Sequence, residues 1–313
     1  MVRTVENLSL KMIEDQVHIP VMGKEVQEGL NLKPGNVFVD CTLGLAGHAS
    51  EAAKVLGPHG WLVGIDRDAS SLSVAQQKLA EFSGKKSFVH SDFRYIEQIL
   101  NDLNVDKVNG ILLDLGISSF QLDNPERGFS IRLNGPLDMR MDQENFISAY
   151  DLVNSLSERE LAIILKKYGE ERWHYRIARL LVEERSRHPI ETTRELSHAV
   201  LRAIPAHNRH QKIHPATRTF QAFRIAVNRE LESLEAALDH CVSRLAPGGR
   251  ICVISFHSLE DRIVKQKFRQ LAKDGRVNLI TKKPLRPNEE EVSYNLRARS
   301  ARLRIAEYGE GLS

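Results

Sequence analysis

The chain has 313 residues, of which 42% are hydrophobic and 27% are charged, and its formal net charge is +3. This composition is typical of a globular protein, and no apolar run reaches the roughly 18 residues that a membrane span needs, so we expect a soluble, cytoplasmic protein with no membrane contact. The three cysteines are widely spaced and odd in number, which argues against a disulfide framework or a cysteine zinc site and predicts small core residues.

The first part of the chain repeats one structural unit. The N-terminal segment 1–16 mixes acidic and basic residues and predicts no secretory signal. After it, short apolar segments recur, and each ends at or just before an acidic residue, namely Asp40, Asp66, Asp92 and Asp114. The intervals of 26, 26 and 22 residues are typical of successive βα units in a buried parallel sheet. Because ligands bind outside the carboxyl ends of such strands, the four acids predict one shared site, although any one of them alone could equally begin a turn.

The turn after the first strand, Asp40–His48, favours a cofactor without a pyrophosphate. It has glycine at only two positions and does not match the dinucleotide fingerprint G-x-G-x-x-G. Asp66 follows the second strand, where an acid commonly accepts hydrogen bonds from ribose hydroxyls, and Asp92 and Phe93 offer an acceptor and an aromatic face to an adenine. These features favour an S-adenosylmethionine-dependent methyltransferase over a nicotinamide-dependent dehydrogenase.

After the fourth unit the βα pattern stops. We expect an inserted helical domain over 120–225 and a discontinuous catalytic domain over 1–119 and 226–313. Within the insertion, two capping-box signatures predict helix starts, Ser157-x-x-Glu160 and Thr192-x-x-Glu195. Beyond it, the pattern predicts a long helix over 231–245, a breaker at Pro247-Gly248-Gly249, a strand over 250–255, a helix from Ser258 and a last strand around 303–305.

The stretch 196–229 contains no Asp or Glu. Its basic and aromatic side chains predict a surface that contacts RNA phosphates and stacks on bases, with a plain solvated loop as the alternative. The candidates are Arg209, Lys212, His214, Arg218, Phe220 and Arg224, with Phe223 as a second stacking residue. No acid or cysteine lies near His207, His210 and His214 to complete a zinc site, so no metal is expected.

Five segments carry a family resemblance. They are DCTLGLAGH (40–48), LDLGISSFQLD (113–123), GPLDMRMD (135–142), HPATRTFQAFR (214–224) and SFHSLEDR (255–262). Together they closely resemble the RsmH (MraW) family of 16S ribosomal RNA cytidine-N4 methyltransferases, over a region from about His18 to Tyr308.

The resemblance implies a class I, Rossmann-like α/β methyltransferase core with an inserted helical substrate-recognition domain. It implies S-adenosylmethionine as cofactor and a decoding-centre cytidine of the small ribosomal subunit as substrate, and a homodimer is a further expectation. It assigns cofactor contacts to Ala46, Gly47, His48, Asp66, Phe93, Asp114 and Gln121. Two positions depart from the family, since Ala46 stands where a glycine is usual and Phe120 where a proline is usual. If residue 46 needs a positive φ, its methyl group would strain the loop.

The chemistry requires an acceptor for the proton of a poorly nucleophilic amine, because the N4 lone pair of cytosine is delocalised into the ring. Asp138, Asp142, His257 and the backbone carbonyls of 116–119 are the candidates. His257 is equally expected as a structural cap partner of Ser258 and Asp261, and the segment 135–142 as a salt-bridged hinge. The alternative functions are a non-catalytic small-subunit assembly factor that binds RNA, and a DNA or protein methyltransferase on the same fold.

Overall fold

The computed structural model describes residues 19–209 and 213–309. The segment 1–16, for which no secretory signal is expected, therefore lies outside the described residues, as do His210 and Lys212. The chain forms two compact units, of which the first ends at Gly116 and resumes at Glu232, and the second comprises Ile117–Leu231. The expected insertion, 120–225, falls inside the second unit.

The first unit contains a seven-stranded sheet with the strand order β3-β2-β1-β4-β5-β7-β6. The strands are β1 (Val37–Asp40), β2 (Trp61–Asp66), β3 (Lys85–His90), β4 (Val108–Asp114), β5 (Leu245–Ser255), β6 (Val277–Leu279) and β7 (Arg302–Tyr308). β1 to β5 are parallel, and β7 runs antiparallel to β5 and β6. The predicted α/β class is confirmed. From β1 the next strands in sequence lie on one side, and from β4 they lie on the other. The crevice at the carboxyl ends of β1 and β4 is therefore the expected ligand site.

The helices begin and end as follows, in chain order: α1 (Gly23–Leu30), α2 (Gly47–Leu56), α3 (Ala69–Lys78), α4 (Ile96–Asp102), α5 (Ser119–Asp123), α6 (Ala149–Ser155), α7 (Glu158–Gly169), α8 (His174–Arg185), α9 (Thr193–Ala203), α10 (Thr217–Asn228), α11 (Glu230–Ser243), α12 (Ser258–Lys273) and α13 (Glu289–Tyr294). Both predicted capping boxes are present, at the starts of α7 and α9. Within the described residues, no helix is long and apolar enough to cross a membrane.

The apolar strands are buried on both faces of the sheet. In β4, Ile111 and Leu113 pack into one core cluster, whereas Leu112 between them packs into the other. In β5, Val253 and Ile254 divide between the clusters in the same way. Successive side chains of a strand point to opposite faces, so an uninterrupted apolar run is what a strand covered by helices on both faces requires.

The cysteines and the fifth strand test two expectations about this unit. Cys41, Cys241 and Cys252 are buried free thiols, which confirms their interpretation as core residues.

The fifth strand begins earlier than predicted, because β5 includes the expected breaker. Gly248 lies at φ 73°, and the pairing of β4 with β5 shifts register between Val108 and Gly110. The proline and glycines thus form an irregularity within the strand rather than its boundary.

The second unit is helical around its own apolar core. Residues of α6 to α10 form this core, together with the non-helical segment that contains Leu137, Met139 and Met141. Asn228 at the end of α10 fixes this segment: its Oδ1 accepts a hydrogen bond from Met141 N at 2.8 Å, and its Nδ2 donates to Met139 O at 2.8 Å. The segment 135–142 is therefore an integral part of the second unit.

Candidate functional site

The carboxyl edge of the parallel strands brings together three of the four predicted acids. Asp40, Asp66 and Asp114 are the last residues of β1, β2 and β4, and both β2 and β4 pair directly with β1. Asp92 follows two residues after the end of β3. The shared edge agrees with the site predicted from the spacing of the acids.

The loop between β1 and α2 is held by hydrogen bonds to these strand ends. Asp40 Oδ1 accepts from Thr42 N at 3.1 Å, and Thr42 Oγ1 accepts from Asp114 N at 2.7 Å. Asp66 Oδ2 accepts from Gly44 N at 2.7 Å, and its Oδ1 accepts from Asp68 N at 2.8 Å. Because a carboxylate oxygen has two acceptor positions, Asp66 anchors the loop and keeps capacity for further donors. Thr42 lies inside the quoted motif, but its bridging role was missed, since the strand it joins is distant in sequence.

The same loop needs two residues with positive φ. Gly44 has φ 50° and Ala46 has φ 56°. Ala46 is the N-cap of α2 and is fully buried. The departure from glycine at position 46 therefore places an alanine in the left-handed region, which costs about 1 kcal/mol relative to glycine, while its methyl group packs in the core.

His48 and Asp114 carry buried polar atoms without hydrogen-bond partners among the described residues. His48 lies in the first turn of α2 and is 5% exposed, and neither of its ring nitrogens makes a hydrogen bond. Its Nε2 lies 3.6 Å from Asp114 Oδ2, and Asp114 Oδ1 is also unpartnered. Buried polar atoms are normally hydrogen-bonded, so these atoms mark a place where a polar ligand would complete the structure.

Burial sets the electrostatics of this edge. It raises the pKa of Asp40 from 3.8 to about 7, with His48 and the Thr42 amide opposing the shift and Asp114 and Asp66 adding to it. Burial also raises the pKa of Asp66 from 3.8 to about 6, against the hydrogen bonds from the amides of Asp68 and Gly44. Both acids favour a neighbouring positive charge, because a cation stabilises their ionised forms.

Asp92 has a different environment from the one expected. Its carboxylate is held by the guanidinium groups of Arg67 and Arg94 and accepts a hydrogen bond from Ser233 Oγ at 3.1 Å. Asp92 therefore takes part in an ion-pair network and is not a free hydrogen-bond acceptor for an adenine. The Arg67 guanidinium lies 5.5 Å from the centre of the Phe93 ring, and Phe93 is 8% exposed. Arg67 was not identified from the sequence, since nothing in its local pattern indicates this stacking.

The remaining cofactor candidates divide between the two units. Gly47 is the first residue of α2 in the first unit. Gln121 lies in α5 of the second unit, where it is buried and completes a capping box with Ser118. Phe120 is in the first turn of that helix, where backbone N–H groups have no partner within the helix. Phenylalanine and proline are therefore both compatible with position 120.

Asp138 and Asp142, the acidic catalytic candidates, both make local contacts in the second unit. Asp138 forms a bidentate ion pair with Arg140, with Nε–Oδ1 and Nη2–Oδ2 distances of 2.9 and 2.7 Å. Asp142 Oδ1 accepts from Glu144 N at 2.9 Å. The contacts of Asp138 thus fit the alternative prediction, in which the segment 135–142 is salt-bridged.

His257, the third catalytic candidate, caps a helix in the first unit. It is the N-cap of α12, and its Nδ1 accepts from Glu260 N at 3.4 Å. Its Nε2 lies 3.1 Å from Glu260 Oε1. The structural alternative therefore agrees with the contacts: His257 caps the helix, its O accepts from Asp261 N at 3.2 Å, and its side chain contacts Glu260. The Asp261 carboxylate instead binds Arg302 and Arg304.

The predicted RNA surface requires correction at its aromatic residues. Phe220 is 5% exposed and Phe223 is fully buried, and both pack in the core of the second unit. They are unavailable to stack on a base, because their rings already fill the helical core. Their spacing of three residues on α10 is that of a buried helix face.

The polar residues of the predicted RNA surface make several contacts within the second unit. Arg224 forms a bidentate ion pair with Glu230, at 2.8 and 2.7 Å. Arg209 Nε donates to Ile204 O at 2.9 Å. Burial lowers the pKa of His214, whose Nδ1 accepts from Ala216 N. Arg218 donates to Glu170 O at 3.2 Å and its backbone lies at the start of α10.

Sequence comparison with known proteins identifies one family. The sequence profile of the MraW methylase family matches residues 15–309. A relative named ribosomal RNA small subunit methyltransferase H, from Clostridioides difficile (strain 630), is 47% identical over 305 residues, which cover 93% of this chain and 98% of the relative. A relative of the same name from Geobacter sp. (strain M21) is 49% identical over 310 residues, which cover 94% and 99%. Among solved structures, a putative rRNA methylase from Clostridium thermocellum has a TM-score of 0.46 at 10% identity, over 95% of this chain and 99% of that one.

Proposed function

The chain belongs to the MraW methylase family, and we propose that it transfers a methyl group from S-adenosylmethionine to the N4 amine of a decoding-centre cytidine in small-subunit ribosomal RNA. The observation that carries this proposal is the edge where Asp40, Asp66 and Asp114 meet beside a loop with positive φ at two positions. The substrate is taken from the family resemblance and from the names of the relatives. Because ribosomal subunits are cytoplasmic, we place the reaction in the cytoplasm.

The residues at this edge suit the cofactor. The unpartnered nitrogens of His48 and Oδ1 of Asp114 offer polar contacts to its polar groups, and the Asp66 carboxylate keeps acceptor capacity for ribose hydroxyls. When bound, S-adenosylmethionine supplies an activated methyl group on a positively charged sulfur. Buried acids with raised pKa values favour such a cation over a phosphate-bearing cofactor. We assign cofactor contacts to the loop Ala46–His48, Asp66, Phe93 and Asp114, and keep Gln121 on the resemblance alone.

The chain must hold the amine in line with the methyl group and accept a proton from it. Positioning supplies most of the rate, because the sulfonium is a good leaving group. Asp138, Asp142 and His257 stay the candidates for proton acceptance. Loss of the acceptor flattens the acidic limb of the pH profile of kcat, whereas loss of a structural contact lowers kcat equally at each pH. The variants Asp138→Asn, Asp142→Asn and His257→Gln therefore separate the two roles.

The decisive experiment uses small ribosomal subunits from cells that lack this modification. With tritiated S-adenosylmethionine, the chain should label the RNA, and nuclease digestion should release labelled N4-methylcytidine. Label at another nucleoside would contradict the assigned chemistry. Calorimetry provides a second test, since a chain that binds no S-adenosylmethionine would be an assembly factor without catalysis.

A further inference from the structure

The short connection between α7 and α8 in the second unit carries a cluster of aromatic and basic side chains. The cluster has the sequence Arg-Trp-His-Tyr-Arg, residues 172–176, and includes the first turn of α8, which begins at His174. Arg172, Tyr175 and Arg176 are exposed, with Tyr175 67% exposed, and Trp173 is half-buried. Of the two neighbouring acids, Glu170 is exposed, whereas Glu171 is buried and its Oε1 accepts a hydrogen bond from Trp173 N at 2.9 Å. Beside the exposed Glu170, residues 172–176 thus present the exposed ring of Tyr175, part of the Trp173 ring and two positive charges to solvent.

Both arginines of this connection flank the same aromatic ring. The guanidinium carbons of Arg172 and Arg176 lie 5.1 and 5.6 Å from the Trp173 ring centre. Neither arginine forms an ion pair with any acid in the part of the chain that the structure describes. By contrast, Arg179 on the same helix pairs with Glu183 at 2.9 Å. Arg172 and Arg176 thus keep their charge available for an anionic partner.

Two neighbouring elements extend the surface. At the end of α7, the Lys167 ammonium lies 4.7 Å from the Tyr168 ring centre. From the start of α10, Arg218 donates to Glu170 O at 3.2 Å and Gln221 donates to Tyr168 O at 3.0 Å. These hydrogen bonds bring Arg218, an RNA candidate from the acid-free stretch, beside the connection.

We propose that this surface binds single-stranded RNA, with guanidinium groups on phosphates and aromatic rings stacked on bases. It is formed by Tyr168, Arg172, Trp173, Tyr175, Arg176 and Arg218 and is called the Arg172 surface below. Planar guanidinium and aromatic groups together are what unpaired nucleotides require, because each nucleotide offers both a charged phosphate and a flat base. An acidic peptide would use the charges but would leave the exposed rings without a flat partner. The inference rests on the proposed function for its substrate, ribosomal RNA.

The test measures binding of the full chain to a short fluorescein-labelled single-stranded RNA by fluorescence anisotropy at several salt concentrations. The double variant Arg172→Gln/Arg176→Gln removes two phosphate contacts, so the salt slope of log affinity should fall by about 1.4, at ~0.7 per contact. Tyr175→Ala should weaken binding at least about fivefold, the lower end of the effect of losing one base stack. Tyr175→Phe keeps the ring and should bind as the wild type does. Arg179→Gln is the matched control, because it removes a charge that is already paired.

Methylation of small subunits separates this inference from the proposed function. If both hold, the double variant should raise KM for subunits while kcat and S-adenosylmethionine affinity stay unchanged. RNA affinity and salt slope that are identical in the wild type and the double variant would overturn the inference, even if the wild type methylates subunits. Weaker binding to subunits with unchanged RNA binding would instead assign the surface to a ribosomal protein. If the double variant binds RNA more weakly but the wild type methylates no RNA, the RNA-binding role of the Arg172 surface holds and the proposed function is rejected.

Discussion

Asp40 is an acid whose ionisation should destabilise the folded chain. Its side chain is 2% exposed at the end of β1, and its Oδ1 accepts a hydrogen bond from the Thr42 amide. Asp40→Asn removes the titratable group and retains an oxygen that can accept from that amide. The stability of the variant relative to the wild type should therefore depend on pH.

The size and sign of the effect follow from the raised pKa. A rise from 3.8 to about 7 spans about 3 pKa units, which corresponds to about 4 kcal/mol at ~1.4 kcal/mol per unit. Because the folded pKa lies above the unfolded one, the protonated acid contributes its full stability below about pH 4, and this contribution is lost as pH rises through about 7. The Asp40→Asn variant keeps a neutral side chain at every pH. Its stability relative to the wild type should thus increase with pH over this window.

Urea unfolding of both proteins between about pH 5 and pH 8 measures the difference directly. The free energy of unfolding of the variant minus that of the wild type should grow by about 2 kcal/mol from about pH 5 to pH 7 and level off above it. Asp66→Asn provides the matched comparison: burial raises the pKa of Asp66 only to about 6, so its difference should level off about one pH unit lower. If the difference in the free energy of unfolding between Asp40→Asn and the wild type is the same at every pH in this range, the reasoning is refuted, whatever the size of that difference.

Four other sites carry predictions. Ala46→Gly should change the free energy of unfolding in urea by less than about 1 kcal/mol, because relief of the left-handed backbone offsets the lost burial of one methyl group; a loss above about 2 kcal/mol would contradict this. Phe223→Ala should cost about 3–5 kcal/mol in the same assay, and a neutral result would disagree with a ring in the core. Arg224→Ala should cost about 3 kcal/mol or more, because it leaves the nearly buried Glu230 carboxylate unpaired, and Arg224→Ala/Glu230→Gln should recover part of the loss. Calorimetry should show S-adenosylmethionine affinity falling below about pH 6 as Asp66 gains a proton, and an affinity independent of pH would exclude Asp66 as an acceptor.

Features that depend on neighbouring residues in the sequence were predicted well. The apolar runs that end at Asp40, Asp66 and Asp114 became parallel strands with their acids at one edge. The capping boxes at the starts of α7 and α9 also formed as predicted, because both partners lie within one helical turn. The αL conformation of Ala46 was anticipated only through the family resemblance, which places a glycine at that position.

Features that depend on distant partners were not predicted. Asp92 resembled the other strand-end acids in sequence, yet Ser233 and Arg67 reach it from other parts of the chain. Phe220 lies in an acid-free basic stretch, but its helix turns it into the core. The exposed ring of Tyr175, by contrast, lies in the segment 172–176, whose composition did not draw attention in the sequence.

The sequence by itself determined the alternation of β1 to β4 with helices, the acids at the strand ends and the family, because periodicity, capping and motifs are local properties of the chain. The tertiary structure decided which polar atoms have partners and which aromatic rings are exposed. The physical reason is that burial and polar pairing are settled by packing between segments far apart in sequence, where Ser233 donates to Asp92 and the Asp114 amide donates to Thr42.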